Sequence, residues 1–106
     1  MQIHDEVIYD TAEFFKVFGD PSRLRILCVL METEMGVGEI TEALGMSQPA
    51  VSHQLRVLRQ NGLVKYRKDG KAVIYTLDDG HVATLLSQGL EHVLHKNKYE
   101  DEEAAE

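Results

Sequence analysis

Residues Glu39–Gly62 read EITEALGMSQPAVSHQLRVLRQNG, and the punctuation of this stretch decides the fold. Glu39 to Leu44 has the make-up of a short helix. Gly45 suits the left-handed residue that follows a helix C-terminus, because it has no Cβ to clash. Ser47 then offers a hydroxyl that caps the unpaired N–H groups of a new helix. From about Gln48 to Gln60, Val51, Leu55 and Leu58 share one face, while Ser52, His53, Arg56 and Arg59 share the other. Asn61-Gly62 stops that helix. Two helices joined by Gly45-Met46-Ser47 alone have the connection of a helix-turn-helix.

Upstream, Ile8, Ala12, Phe15 and Phe18 follow helical spacing, and Asp20-Pro21 supplies an N-cap followed by a proline at the first helical position. Leu24, Leu27, Cys28 and Met31 form the apolar stripe of that second helix, which Gly36 and Gly38 interrupt. Downstream, Leu63 to Lys68 and Ala72 to Leu77 alternate with period 2 around Asp69-Gly70, a pair favoured in type I′ hairpins. That hairpin is expected to form a β-wing. Asp78 is expected to cap a last helix with Val82, Leu85, Leu86, Leu90 and Val93 on its apolar side. The fold class is therefore mainly α with a small β-hairpin, a winged helix-turn-helix. Residues 1–97 form one domain, and 98–106 an acidic disordered tail.

At 106 residues, 43% hydrophobic and 27% charged, the chain has the size of a single small domain. The longest apolar run, Ile26 to Met31, is far shorter than the roughly 18–20 residues of a membrane span. No signal peptide is visible, and a solitary cysteine fits a reducing compartment, so a cytoplasmic protein is expected. The formal charge of −7 argues against nucleic acid only until it is divided along the chain. Residues 1–46 carry nine acids and three bases; residues 78–106 carry eight acids and two bases. Between them, residues 47–77 carry six bases and one acid.

That positive block coincides with the second helix of the helix-turn-helix and the wing. Gln48, Ser52 and His53 sit where a recognition helix reaches base edges in the major groove. Arg56 and Arg59 are placed to hold the phosphate backbone, as are Lys65, Arg67, Lys68 and Lys71 around the hairpin tip. Double-stranded operator DNA is the expected partner.

Three of the five histidines, His81, His92 and His95, lie on the last helix within a sector of roughly 60°. Asp79-x-His81 opens the helix and His92-x-x-His95 closes it. His92 and His95 can ligate one ion from adjacent turns, but His81 lies about 16 Å away along the axis. Metal–nitrogen bonds of about 2.0–2.1 Å require the donors to converge. Only a second copy of the helix, antiparallel to the first, brings the two halves together, giving two equivalent sites per homodimer. The crossing falls near Ser87, where Ala83 and Gly89 are also small. One carboxylate oxygen and three imidazole nitrogens suit tetrahedral Zn(II) or Co(II).

Asp20 to Ile26, Ser47 to Leu58 and Gly70 to Asp79 are segments by which residues 7–97 resemble the ArsR/SmtB family of winged-helix repressors. The Asp79-x-His81 and His92-x-x-His95 pattern is similar to the C-terminal-helix site of the zinc- and cobalt-sensing branch. Relatives that use thiolates carry cysteines around the segment matching Glu34 to Ile40, where this chain has Gly36 and Gly38; Cys28 is expected in the core. The resemblance implies a homodimer joined through the first and last helices that binds operator DNA when metal-free and is released when metal binds. It also implies that His92 couples the metal to DNA by donating to the backbone carbonyl of Gly62. Added metal charge alone would strengthen DNA binding, so release requires a conformational coupling of opposite sign.

Three other readings remain open. The histidine site is vestigial in a repressor that answers another signal, or His4 joins it in a nickel or cobalt sensor, or zinc only cements the dimer. A small zinc hydrolase is disfavoured because four protein ligands leave no open position and no general base accompanies them. The expectation is a regulator with no small-molecule substrate and no membrane attachment, and not an enzyme.

Overall fold

A computed structural model describes residues 2–96, with elements α1 (Asp5–Phe18), α2 (Pro21–Glu32), β1 (Met35–Gly36), α3 (Val37–Leu44), α4 (Gln48–Gln60), β2 (Val64–Asp69), β3 (Ala72–Leu77) and α5 (Gly80–Lys96). The acidic tail expected over residues 98–106 lies outside the described residues. The helix boundaries follow local chemistry. Asp20 Oδ2 accepts the Arg23 N–H at 3.0 Å, and Ser47 Oγ accepts the Ala50 N–H at 3.3 Å, so α2 and α4 each begin on a side-chain cap. Gly45, at φ 66°, closes α3 by donating to the Thr41 carbonyl. Gly62, at φ 73°, closes α4: its N–H reaches the Arg59 carbonyl, and the Leu63 N–H reaches that of Leu58. This paired bonding satisfies two helix-end carbonyls and turns the chain directly into the wing.

Three local expectations are corrected. Asp79, rather than Asp78, caps α5: its Oδ1 accepts from the His81 and Val82 N–H groups, while the Asp78 N–H is used by the Leu63 carbonyl. The hairpin pairs Asp69 with Ala72, which leaves Gly70-Lys71 as the loop. Only Gly70, at φ 64°, has a positive φ there, the pattern of a type II′ rather than a type I′ turn. The wing also has a third strand. Met35 and Gly36 pair with Tyr75 and Ile74, so the sheet is antiparallel in the order β1-β3-β2. A two-residue strand is too short to show an alternating pattern.

The core lies where α2, α3 and α4 meet the base of the wing. Ile26, Leu27, Ile40, Val51, Leu55, Leu58 and Leu63 are almost completely buried, and Val82 and Leu86 of α5 join them. On α2 the deepest side chains are Ile26, Leu27 and Leu30, while Leu24 and Met31 of the expected stripe are half-buried. Two arginines of α2 fix the helix-turn-helix from behind: Arg25 donates to the Leu44 carbonyl at the end of α3 (2.7 Å), and Arg23 donates to Gln54 Oε1 of α4 (2.9 Å). By contrast, α1 buries only Val17 fully, packs Phe14 and Phe18 against the core, and leaves Val7, Ile8, Tyr9 and Phe15 exposed, as α5 leaves Leu90 and Val93.

Cys28 is half-buried rather than enclosed. Burial, with a smaller contribution from Glu32, pushes its thiol above the ordinary range, so it is largely protonated near neutrality.

Truncating Leu55 to Ala is expected to cost about 2–5 kcal/mol in urea unfolding, because it opens a cavity in the core. Gly62→Ala, with open space around the added Cβ, is expected to cost only the roughly 1–2 kcal/mol of the left-handed backbone. Alkylation of Cys28 by iodoacetamide at pH 7 is expected to run slower in the folded chain than in urea; equal rates would contradict the raised pKa.

Candidate DNA interface and metal half-sites

The turn between α3 and α4 presents the start of α4 to solvent. Gln48, His53, Arg56 and Arg59 are exposed and Ser52 is half-buried, whereas Val51, Leu55 and Leu58 of the same helix are buried. The recognition face and the core face are thus opposite sides of one amphipathic helix. Arg59 lies over the Tyr66 ring, 5.1 Å from its centroid, and Tyr66 in turn packs on Tyr75 across the hairpin. A cation–π contact of this kind leaves the positive charge intact while orienting the guanidinium.

Strand alternation separates the wing bases. Lys65 and Arg67, opposite Thr76 and Ile74, lie on one face of the sheet, Lys68 lies on the other, and Lys71 is in the turn. Arg67 is held by two acids: Glu34, just before β1, accepts from it at 2.5 Å, and Asp69 lies 3.8 Å away. Among the described residues, Arg56, Lys65, Lys68 and Lys71 have no such ion pair. Sequence reasoning missed Glu34, Arg23 and Arg25, whose partners stand 33, 31 and 19 residues away; no local pattern marks them.

At the start of α5, Asp79 spends Oδ1 on the helix cap and keeps Oδ2 3.5 Å from His81 Nδ1. The Val82 N–H, helped by His81, holds this carboxyl below the usual carboxylate range despite some opposing desolvation. His81 is almost fully exposed, and His92 and His95 are exposed at the other end of α5, where Glu91 lies 3.7 Å from His95. Among the described residues, no three His, Cys, Asp or Glu side chains converge within one chain. Asp79 with His81 and His92 with His95 thus stand as two candidate donor groups, separated by the length of α5.

Asp79 and His81 open onto a recess of about 760 Å³ also lined by Gly80 and Gln88 of α5, Phe14 of α1 and Gly62 just after α4. Gly62 thus shares the lining of one recess with Asp79 and His81, and His92 of the same chain is not part of that lining. A second, apolar groove runs between α1 and α5 and includes Phe15, Phe18, Leu86, Leu90 and Val93. No helix among the described residues is long and apolar enough to cross a membrane.

Comparison with known proteins agrees with this architecture. Residues 20–66, from the α2 cap to the middle of β2, match the family model described as "Bacterial regulatory protein, arsR family". The chain is 46% identical over 82 residues to a Synechocystis transcriptional repressor SmtB homolog, covering 77% of this chain and 62% of that protein. It is 45% identical over 84 residues to the transcriptional regulator NmtR of Mycobacterium tuberculosis, covering 79% and 70%. The solution structure of apo-NmtR superposes with a TM-score of 0.78 at 40% identity, covering 90% of this chain and 80% of that one. A homodimeric winged helix-turn-helix DNA-binding domain from Mycobacterium bovis superposes with a TM-score of 0.77 at 29% identity, covering 86% and 88%. The chain spans somewhat under two thirds of the Synechocystis relative. With its caps, turn, wing and core matching along the helix-turn-helix, the chain belongs to the arsR family of bacterial regulatory proteins: it is a winged-helix transcriptional regulator and not an enzyme.

Proposed function

We propose that this regulator is a metal-responsive repressor whose metal-free homodimer binds operator DNA and which lets go when Zn(II) or Co(II) binds between the α5 helices. The observation that carries this reading is the arrangement of α5. It bears Asp79 and His81 at one end, His92 and His95 at the other, and an exposed apolar strip of Leu90 and Val93 beside the α1–α5 groove. A second copy packed antiparallel on that strip covers the groove and completes two metal sites, each with Asp79 and His81 from one protomer and His92 and His95 from the other. The relative from Mycobacterium bovis supports a dimer, and the Synechocystis relative supports repression.

In this reading Gln48, Ser52 and His53 meet base edges, and Arg56, Arg59, Lys65, Lys68 and Lys71 meet phosphates. A regulator with this target works in the cytoplasm of a bacterium. The bound metal supplies a fixed imidazole orientation at its ligands. Gly62 lines the same recess as Asp79 and His81, so a partner's His92 brought to that half-site arrives beside the end of α4. Donation from the other nitrogen of His92 to the Gly62 carbonyl would then bias where the recognition helix sits. That bias must outweigh the added positive charge, which alone favours DNA.

Titration with Co(II), followed by visible absorption, is expected to give strong tetrahedral bands at two ions per dimer and to release labelled operator DNA; His95→Ala is expected to lose both. Weak octahedral bands would point instead to His4 joining the site, and tight metal binding without DNA release would leave zinc as cement for the dimer. Asp79→Asn keeps an amide that can still cap α5, so it is expected to retain thermal stability while weakening metal affinity. His92→Asn is expected to retain part of the metal affinity but lose release; release at wild-type strength would contradict the route through Gly62.

A further inference from the structure

Among the described residues, Arg67 alone of the six bases in the positive block is tied to carboxylates. Its guanidinium donates to Glu34 at 2.5 Å and lies 3.8 Å from Asp69, and all three side chains are about half exposed or more. The register explains the reach. Arg67, Ile74 and Gly36 stand in line across β2, β3 and β1, and Glu34, two residues before Gly36, falls on the same face. Two strand spacings, about 9–10 Å, separate the outer strands, a span that extended Arg and Glu side chains close together. Two carboxylates flanking one guanidinium offset its charge, and a phosphate approaching Arg67 meets their repulsion. Among the described residues, Lys65, Lys68 and Lys71 are paired with no carboxylate.

We propose that Arg67 is a positioning residue: held by Glu34, it braces the outer strand of the wing against the α2–β1 connection and makes no phosphate contact. The wing's hold on DNA then rests on its three lysines. This inference depends on the reading of the wing as a DNA contact, and it divides the wing's charges into those that hold DNA and one that holds the wing. The brace also joins the wing to α2, the helix whose Arg23 and Arg25 position α4 and α3.

The test uses the full metal-free chain and a fluorescein-labelled mixed-sequence duplex, with affinity measured by anisotropy over a range of KCl concentrations. Every phosphate that a substitution leaves unneutralised flattens the plot of log affinity against log salt by about 0.9. Lys68→Met is expected to flatten it by that amount per phosphate, whereas Arg67→Met leaves the slope at the wild-type value. Glu34→Gln frees Arg67 and is expected to steepen the slope. Flattening by Arg67→Met equal to that of Lys68→Met, or no change with Glu34→Gln, overturns the proposal. A parallel arm without DNA compares thermal unfolding of Arg67→Met, Glu34→Gln and the double variant. The double is expected to lose no more than the larger single loss; additive losses overturn the brace. If wild type and Lys68→Met alike show no salt-dependent binding, the DNA reading fails, and the thermal arm still decides whether Arg67 and Glu34 are coupled.

Discussion

Everything in this molecule depends on the burial of one face of α4. Val51, Leu55 and Leu58 are sealed against Ile26 and Leu27 of α2, Ile40 of α3 and Leu63 at the base of the wing. Burying side chains of this size contributes about 1.5–3 kcal/mol each, which makes this cluster the principal term opposing chain entropy in so small a domain. Because an amphipathic helix has only two sides, sealing one commits the other, with Gln48, His53, Arg56 and Arg59, to solvent. The core and the candidate DNA surface are set by the same rotation of one helix.

Polar links then refine what the core has placed. Arg25 bonds the carbonyl at the end of α3, where the helix dipole favours a cation, and Arg23 engages Gln54 on α4. The two hydrogen bonds that end α4, from Gly62 N–H to the Arg59 carbonyl and from Leu63 N–H to the Leu58 carbonyl, carry the chain directly into β2. A displacement at Gly62 would therefore be felt at both ends, by the recognition helix and by the wing. In the proposed reading, this link is how metal bound at the start of α5 would reach the DNA-binding surface. Asp79 has two uses there: one carboxylate oxygen holds the helix start and the other faces His81.

The outer helices follow a different logic. α1 leaves Val7, Ile8, Tyr9 and Phe15 exposed, and α5 leaves Leu90 and Val93 exposed. Phe15, Leu90 and Val93 line one groove between the two helices, and a large exposed apolar surface on a small domain marks an interaction face. In the proposed dimer, a second copy packed on this face covers the apolar groove and would unite Asp79 and His81 with His92 and His95, which one helix keeps about 16 Å apart.

Much of this was legible in the order of residues alone. The caps Asp20 and Ser47, the stops Gly45 and Gly62, the faces of α4 and the two long wing strands all rest on local rules that operate over four or five residues. So does the division of the −7 charge into a basic centre and two acidic flanks. The tertiary structure decided matters in which the partners are far apart or the competing local choices are close. It gave Asp79 the cap in place of Asp78, whose N–H instead ties the end of β3 to the Leu63 carbonyl. It added β1, whose two residues have no pattern of their own until β3 lies beside them. It also brought Glu34 to Arg67 and placed Gly62 and Asp79 on the lining of one recess, arrangements created when distant segments pack together. Local backbone chemistry is short-ranged and can be read along the chain; the meeting of distant side chains depends on how the buried faces pack, and only the folded molecule contains that information.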